Sequence, residues 1–373
     1  MKVLVDPEIF FYGRCGMARY YSKLLAILQT KHNIEIDLPL LVSGSDFIQG
    51  KYQSLSGIKN HLPFGRKLFN KLSSASKRMY WKKVASSNYD LVFITSPVFE
   101  DRFLDFLPAG KKFIMVVHDT MQCVLTPEGL YDTPGLNADK LSYLARRASK
   151  VICISETTKR DLLSISSGKL KNVEVIYTGN LLEPLTGLNV NIQLPDQFLL
   201  FVGDRSGRKN FRMFIQAIAP ILKDKPFLKV VCTQPFTKFE LDFWNELEVT
   251  NSIVFIDAPD STLKQLYAQA TALVYPSLYE GYGLPVLEAM SMGCPVITSS
   301  NSAIQEIAQT AAVYIDPLNS NSIMAAVCKV ISPDFDKEAF TIKGFYHSKG
   351  FSVDSMSDQF YQAMRTLMTD SLN

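Results

Sequence analysis

Two glutamates, Glu280 and Glu288, flank a glycine-rich turn and are suited to binding a ligand that carries hydroxyl groups. The apolar run Ala272–Tyr275 predicts a buried strand before the turn, and the residues after it predict a helix. Gly281 and Gly283 let backbone amides come close to an anion at the start of that helix. Carboxylates repel phosphate but accept hydrogen bonds from hydroxyls well. The pattern therefore predicts a site in which glycine amides bind phosphate and the carboxylates bind hydroxyls.

A second candidate site is a basic turn that follows a predicted strand at 198–202 and opens a helix. It contains two glycines and three cations, Arg205, Arg208 and Lys209. Parallel sheets bind anions where such loops leave the carboxyl ends of their strands. The turn therefore predicts a diphosphate site that either arginine could reach. The alternative is a basic turn that contacts only solvent.

Three further candidates follow strands in the first half of the chain. His118 and Asp119 come directly after an apolar run that ends at Val117, so we expect both at the carboxyl edge of a sheet, where ligands bind. Gly16 lies in a glycine loop between the first strand and an amphipathic stretch. Each has a structural alternative, because the imidazole can bind backbone groups, the aspartate can cap a turn and the glycine can serve chain geometry alone.

Short apolar runs alternate with helix-like stretches in both halves of the chain, which is the pattern of parallel α/β sheets. The runs begin at residues 2, 91, 113 and 151, and then at 198, 228, 253, 272 and 295. Two Rossmann-like domains are the expected result. The segment 181–195 has two prolines, a glycine and no clear period, so it is the predicted linker. We place the domains at 1–184 and 185–350, with an amphipathic tail helix at 351–373.

Composition narrows the classes of function. A net charge of +3 and a pI near 8.4 are too mild to indicate a nucleic-acid-binding protein. The amino terminus has acids where a signal peptide needs an apolar core, and no run reaches the ~18 residues of a membrane span, so a cytoplasmic location is expected. The six cysteines are scattered without metal-ligand spacing, so no metal site is expected.

The segment Ser-Leu-Tyr-Glu-Gly-Tyr-Gly-Leu-Pro around Glu280 resembles the E-x7-E region of retaining glycosyltransferases of family 4. The turn at 203–211 is similar to the family's Gly-x-x-x-x-Arg-Lys-Asn element, although Asp204 stands where many members have arginine. The glycine loop and the His118-Asp119 pair also match family segments in the same order, so the resemblance covers nearly the whole chain. It implies the GT-B fold, in which two Rossmann-like domains face each other across a cleft. The first domain would then hold the acceptor, the second would hold the nucleotide-sugar donor, and the last helix would cross back to the first domain.

The resemblance also implies roles for the candidate residues. Glu280 would approach the donor sugar, Glu288 would hold the ribose, Lys209 would neutralise the leaving phosphates and His118 would contact the sugar. The predicted catalytic residues are His118, Glu280 and Lys209. The predicted donor-binding residues are Gly16, Arg205, Arg208, Lys209, Gly281, Tyr282, Gly283, Leu284 and Glu288. The acceptor-side candidate is Asp119.

The expected activity is metal-independent, retaining transfer of a hexose, with mannose favoured, from a nucleoside diphosphate sugar to an acceptor hydroxyl. GDP-mannose or a UDP-hexose is the expected donor, and no cofactor is expected. The expected acceptor is a glycan or lipid-linked saccharide in the synthesis of cell-surface polysaccharide, glycolipid or lipid-linked oligosaccharide.

The alternatives are a catalytically silent subunit that binds a partner transferase, and a GT-B epimerase or phosphorylase. A retaining glycosidase needs its carboxyl groups ~5–5.5 Å apart, and a glutamate placed inside a helix argues against that. The lack of a G-x-G-x-x-G after the first strand argues against NAD chemistry.

Residues 59–83 contain eight Lys or Arg and no Asp or Glu, interleaved with aromatic and aliphatic side chains. Such a stretch favours an anionic membrane surface, although RNA binding or an ordinary basic helix face would also explain it. Many family 4 enzymes use lipid-linked acceptors, so the resemblance favours the membrane. We therefore expect peripheral contact with the inner face of the plasma membrane.

Overall fold

The computed structural model describes residues 1–13, 15–45, 47–48, 65–95, 100–124, 138–182, 192–205 and 207–369. The chain forms two compact units, the first comprising Met1–Leu181 with Ser352–Asn373 and the second comprising Leu182–Phe351. The greater part of the predicted linker at 181–195 lies outside the described residues.

The first unit is built on a parallel six-stranded sheet with the strand order β2-β1-β3-β4-β5-β6. Chain order therefore reverses between β1 and β3. The strands are β1 Lys2–Val5, β2 Glu35–Asp37, β3 Leu91–Ile94, β4 Lys112–Val117, β5 Lys150–Cys153 and β6 Val173–Val175. Its helices are α1 Gly16–Thr30, α2 Gly65–Ser86, α3 Met121–Val124, α4 Ala138–Arg147, α5 Glu156–Ile165 and the carboxyl-terminal helix α13 Val353–Thr369.

Helix α13 packs in the first unit because its apolar face meets α1 and the sheet. The Phe360 ring lies 6.4 Å from the ring of Tyr20 on α1 and 6.1 Å from that of Phe93 on β3. At the edge of this contact, Lys31 Nζ lies 2.8 Å from Asp358 Oδ1. The exposed ion pair adds little, so the buried rings are the main stabilising contact.

The second unit is built on a second parallel six-stranded sheet, with the order β12-β11-β10-β7-β8-β9. Chain order reverses between β7 and β10. The strands are β7 Gln197–Phe201, β8 Leu228–Cys232, β9 Ile253–Phe255, β10 Ala272–Tyr275, β11 Val296–Ser299 and β12 Val313–Ile315. The helices are α6 Phe211–Asp224, α7 Lys238–Glu246, α8 Asp260–Gln269, α9 Leu284–Ser291, α10 Ser302–Ala308, α11 Ser320–Ile331 and α12 Lys337–Ser348.

Apolar side chains pack on both faces of this second sheet, as continuous apolar strands predict. One cluster includes Leu199, Phe214 and Ile297, and the other includes Leu200, Leu273 and Met290 on the opposite face. All the strands predicted from apolar runs are confirmed, with ends that differ by no more than one residue. The strands that the sequence did not predict are β2, β6 and β12, which are three residues long and include side chains that are not fully buried.

Candidate functional site

In the second unit, the predicted acidic loop follows β10 and the predicted basic loop follows β7. These two strands are neighbours in the sheet at the point where the chain order reverses. Strand β7 leads through the short 3-10 turn Gly207–Lys209 into α6, and β10 leads through residues 276–283 into α9. The Leu278 amide donates a hydrogen bond to the Arg208 carbonyl oxygen at 2.8 Å, which joins the two loops. Ligands of open α/β sheets bind outside the carboxyl ends of the strands at such a reversal.

Glu280 is the centre of this arrangement. Its Oε1 accepts hydrogen bonds from Arg208 Nη1 and from Lys209 Nζ, each at 2.7 Å. The Glu280 amide donates to Ser302 Oγ at 3.0 Å, which fixes the backbone of the turn. Glu280 is only 8% exposed, so the ion pairs are poorly screened by water.

Lys209 is held from a second side by Tyr275, the last residue of β10. The Lys209 ammonium donates to the Tyr275 hydroxyl, and its nitrogen lies 4.3 Å from the centre of the tyrosine ring. The side chain of Lys209 is 8% exposed. Two partners therefore fix the position of a buried cation at the edge of the sheet.

The charges of the cluster depend on one another. Burial raises the pKa of the Glu280 carboxyl, but the charges of Lys209 and Arg208 outweigh it and leave this pKa below its usual value. Burial lowers the pKa of the Lys209 ammonium, and the charge of Glu280 opposes this effect. The cluster therefore sets one carboxylate between two basic groups, and the charges of Lys209 and Arg208 favour the ionised form of Glu280. Such a group can stabilise negative charge that develops on a bound ligand.

Glu288 lies within α9, where its side chain is almost fully buried. Its Oε2 accepts a hydrogen bond of 2.9 Å from the hydroxyl of Tyr267 on α8. A carboxylate has about four acceptor sites, so binding of a hydroxyl is chemically compatible with the hydrogen bond from Tyr267.

The turn before α9 contains the remaining predicted donor-binding residues, Gly281, Tyr282, Gly283 and Leu284. Gly283 has a φ of +104° and precedes the first residue of the helix, Leu284. A residue with a side chain would be strained in this backbone conformation. Gly281 and Tyr282 are buried in the same turn, beside Glu280.

The two arginines of the basic loop have different partners. Arg208 binds Glu280, whereas the guanidinium of Arg205 binds Glu240 on α7, with Nη2 to Oε2 at 3.0 Å, and the carbonyl oxygens of Gln234 and Pro235. The role of Arg205 in donor binding stays a prediction. Its contacts with other protein groups already use much of its guanidinium. Arg208 is therefore the stronger candidate for contact with a phosphate.

The first unit places its three candidates after β1 and β4. His118 directly follows β4, and its Nε2 lies 3.1 Å from the hydroxyl of Tyr21 on α1. Burial lowers the pKa of His118 to about 3, so the imidazole is neutral at physiological pH. Asp119 Oδ1 accepts a hydrogen bond of 3.2 Å from the Met121 amide, so it forms the turn that the sequence left open as an alternative. Gly16 is exposed at the first position of α1.

Sequence reasoning missed the side chains that hold the charged residues in place, Tyr275, Tyr267 and Ser302. Tyr275 had a signal, because it ends a predicted strand just before the glutamate turn. Tyr267 and Ser302 lie on helices with ordinary amphipathic patterns, and only the fold shows that they contact the site.

The second unit is similar to known glycosyltransferases. Residues 196–333 match the family model described as "Glycosyl transferases group 1". O-antigen chain mannosyltransferase B of Escherichia coli is 31% identical over 175 residues, which is 46% of each chain. The uncharacterized glycosyltransferase MJ1607 of Methanocaldococcus jannaschii is 30% identical over 220 residues, covering 55% of this chain and 56% of that protein. The chain thus matches about half the length of these curated relatives.

A solved structure confirms the predicted architecture. Anabaena HepE in complex with UDP-glucose matches with a TM-score of 0.68 at 18% identity, covering 98% of this chain and 100% of that one. The two parallel six-stranded sheets with flanking helices are those of the GT-B fold. At this level of identity the match establishes the fold alone.

Proposed function

Since residues 196–333 form a group 1 glycosyltransferase domain, we propose that this protein transfers a hexose from a nucleoside diphosphate sugar to an acceptor hydroxyl. The observation that carries the proposal is the buried cluster of Arg208, Lys209 and Glu280 at the chain reversal between β7 and β10. It supplies fixed positive charge at the edge of the sheet where a diphosphate is expected to bind.

In the proposed reaction, the bond between the sugar and the diphosphate breaks and negative charge grows on the departing phosphate. A lysine ammonium has three donors, and Tyr275 and Glu280 take two of them, which leaves one for a phosphate oxygen. Arg208 has five donors and can hold Glu280 and a phosphate together. Because both cations are already in place, little reorganisation is needed as charge develops, and this reduces the barrier without a metal ion.

We further propose that transfer retains the configuration of the sugar. Glu280 is a poor nucleophile, since two cations bind one of its oxygens and hold its pKa low. This favours a front-face route in which the departing phosphate oxygen accepts the proton of the acceptor hydroxyl and no covalent enzyme intermediate forms. In this route Glu280 orients the donor sugar and Glu288 binds the ribose. Contact of His118 with the sugar stays a prediction.

Mannose is the proposed sugar because an O-antigen chain mannosyltransferase is among the relatives. GDP-mannose is the first donor to test, and the UDP-glucose bound by HepE makes a UDP-hexose the second. A glycan or lipid-linked saccharide in cell-surface polysaccharide synthesis is the proposed acceptor. Thermal unfolding of the purified chain with a panel of nucleotide sugars tests the donor, because a ligand at ~100 times its Kd stabilises a protein by ~2.7 kcal/mol. If no nucleotide sugar raises the Tm, the proposed function is wrong.

Membrane contact through the basic stretch also stays a proposal. Residues 59–64 lie outside the described part of the chain, and the rest of the stretch belongs to α2. On this helix Lys77 binds Glu8 at 2.9 Å and Lys83 binds Asp37 at 2.7 Å, so these two lysines serve the first unit itself. Five other cations of this helix are exposed: Arg66, Lys67, Lys71, Arg78 and Lys82. Among the described helices, none combines the length and apolar character needed to cross a bilayer.

We predict that the protein co-sediments with vesicles that contain anionic lipid and that changing Arg66, Lys67, Lys71 and Arg78 together to glutamate abolishes this. Each cation near an anionic surface is worth ~1 kcal/mol, and added salt should weaken the binding. A matched control changes four exposed lysines elsewhere, Lys169, Lys171, Lys343 and Lys349, to glutamate, which alters net charge equally but should leave binding largely intact. Failure of the wild-type protein to bind such vesicles at low salt would show that α2 has no membrane role.

A further inference from the structure

A small pocket that contains several charged side chains lies in the first unit, next to the chain reversal between β1 and β3. Asp6 directly follows β1, and the Thr95 hydroxyl, which directly follows β3, donates to the Asp6 carbonyl oxygen at 2.8 Å. The pocket encloses about 10 Å³, which is room for about one water molecule or one hydroxyl group. Its lining includes Asp6, Glu8, Lys77, Tyr80, Trp81 and Glu100.

The pocket carries more acid than base. Asp6 and Glu8 are each only 6% exposed, and Glu100 lines the same space. Lys77 is the cation of this lining, and its Nζ lies 2.9 Å from Glu8 Oε1. Buried carboxylate oxygens need hydrogen-bond donors, and the Glu8 amide supplies one to Asp6 Oδ1 at 3.0 Å. Two ionised carboxylates offer about eight acceptor sites, so the pocket can take a further donor. The pocket is therefore suited to a guest that donates hydrogen bonds.

Tyr80 provides an independent sign that a guest is expected. It is 3% exposed, and its hydroxyl has no hydrogen-bond partner among the described residues. A buried hydroxyl without a partner costs free energy, and such groups are rare in folded proteins. The charges of Asp6 and Glu8 both act on this hydroxyl, which places it close to the two carboxylates.

We propose that this pocket is an acceptor subsite that binds one hydroxyl group of a saccharide. The saccharide hydroxyl donates to the Asp6 or Glu8 carboxylate and accepts from Tyr80. The assignment rests on the proposed function, since it supplies the acceptor of that reaction. A metal ion is a weaker guest, because within the described residues no group of three or more acidic, histidine or cysteine side chains is arranged to hold one.

The Asp6 carboxyl makes the stability of the folded protein depend on pH. Burial raises the pKa of Asp6 to about 7, and the charge of Glu8 adds to this while Lys77 opposes it. Other titratable groups near Asp6 are Tyr80 on α2, Tyr21 on α1, Tyr12, and Glu100 after β3. The unfolded chain releases the Asp6 proton near pH ~4, whereas the folded protein keeps it up to a pH of about 7. The stability that the protonated Asp6 gives the folded protein is therefore fully present below pH ~4 and is lost as the pH rises to about 7.

We therefore predict that Asp6→Asn becomes more stable relative to wild type as the pH rises from 4 to 8, because asparagine cannot ionise. Its side-chain oxygen can still accept the hydrogen bond that the Glu8 amide gives to Asp6 Oδ1 at 3.0 Å. Urea unfolding of both proteins at pH 4, 6 and 8 measures this difference. A difference that does not change with pH would show that Asp6 ionises in the folded protein as readily as in the unfolded chain.

The subsite itself is tested with Tyr80→Phe, with methyl α-mannoside as the saccharide probe and ligand-observed NMR as the assay. The full-length variant should bind the probe about fivefold to tenfold more weakly than wild type, which corresponds to one hydrogen bond. Its thermal stability should be equal or higher, because the hydroxyl that it removes has no partner in the free protein. Weaker binding at undiminished stability distinguishes a binding role from a structural one.

Tyr89→Phe is the matched control. The Tyr89 hydroxyl is also in the first unit, but it donates to the Val84 carbonyl oxygen at 2.7 Å. Its loss should lower stability and leave probe binding unchanged. Equal probe affinity of Tyr80→Phe and wild type, or no binding of the probe by wild type, would overturn the subsite. The thermal shift with nucleotide sugars tests the second unit independently, so failure of the subsite and failure of the proposed function give different results.

Discussion

Replacing Lys209 with alanine should lower kcat by about two to three orders of magnitude, the cost of losing one preorganised charge contact to a transition state. Lys209 is a buried cation with two fixed partners, Glu280 and Tyr275, and its third donor is available to the leaving phosphate. Because this contact strengthens as the sugar–phosphate bond breaks, kcat should fall much more than nucleotide affinity. Steady-state kinetics and nucleotide titration of the same preparation measure the two effects.

The control for this prediction is Tyr275→Phe. It keeps the lysine charge and the aromatic ring but removes the hydroxyl that holds the ammonium. A smaller loss of kcat, of about tenfold, is expected from a positioning residue. EDTA should not change the wild-type rate. A Lys209→Ala enzyme within tenfold of wild type, or a strict requirement for a divalent cation, would contradict the proposed role of the cluster.

Replacing Glu288 with glutamine should weaken nucleotide binding by about tenfold to a hundredfold, because hydrogen bonds from the ribose would lose their charged acceptor. The change preserves side-chain size, and the glutamine oxygen can still accept the hydrogen bond from Tyr267. Glu280→Gln should instead lower turnover and leave nucleotide affinity within a few-fold of wild type. Isothermal titration with GDP and kinetics with the preferred donor compare the two variants.

A ligand lacking one hydroxyl makes this test more specific. Wild type should bind 2′-deoxy-GDP more weakly than GDP, and Glu288→Gln should show a smaller difference between the two, since the carboxylate and the hydroxyl form one interaction. Tyr267→Phe serves as a control that leaves the Glu288 charge in place. Equal GDP affinity of wild type and Glu288→Gln would remove the ribose assignment.

The sequence predicted the elements that position the site because long apolar runs and glycine turns are local signals. Strand β10, the turn at Gly283 and α9 follow from such signals, and so does the basic loop after β7. The strands β2, β6 and β12 are three residues long and were missed, whereas the equally short β9 was predicted because its apolar run continues to Ile256.

Side-chain partners could not be predicted in the same way, because they depend on which loops meet in space. Arg205 and Arg208 lie three positions apart in one loop, yet the first binds Glu240 and the second binds Glu280. Asp6 and Tyr80 are far apart in the sequence and line one pocket only because α2 packs at the end of β1. From the sequence, the acidic residues near the amino terminus argued only against a signal peptide and gave no sign that they line a pocket.

The most direct test of the proposed function is ¹H NMR of the purified chain incubated with GDP-mannose, or with the nucleotide sugar that stabilises it most, in the presence of EDTA. With water as the acceptor, we predict slow release of the nucleoside diphosphate, with the sugar appearing first in the same anomeric configuration as in the donor. The Lys209→Ala protein should be nearly inactive under these conditions. First appearance of the opposite anomer would contradict retention, and no consumption of any nucleotide sugar would contradict the proposed glycosyltransferase activity itself.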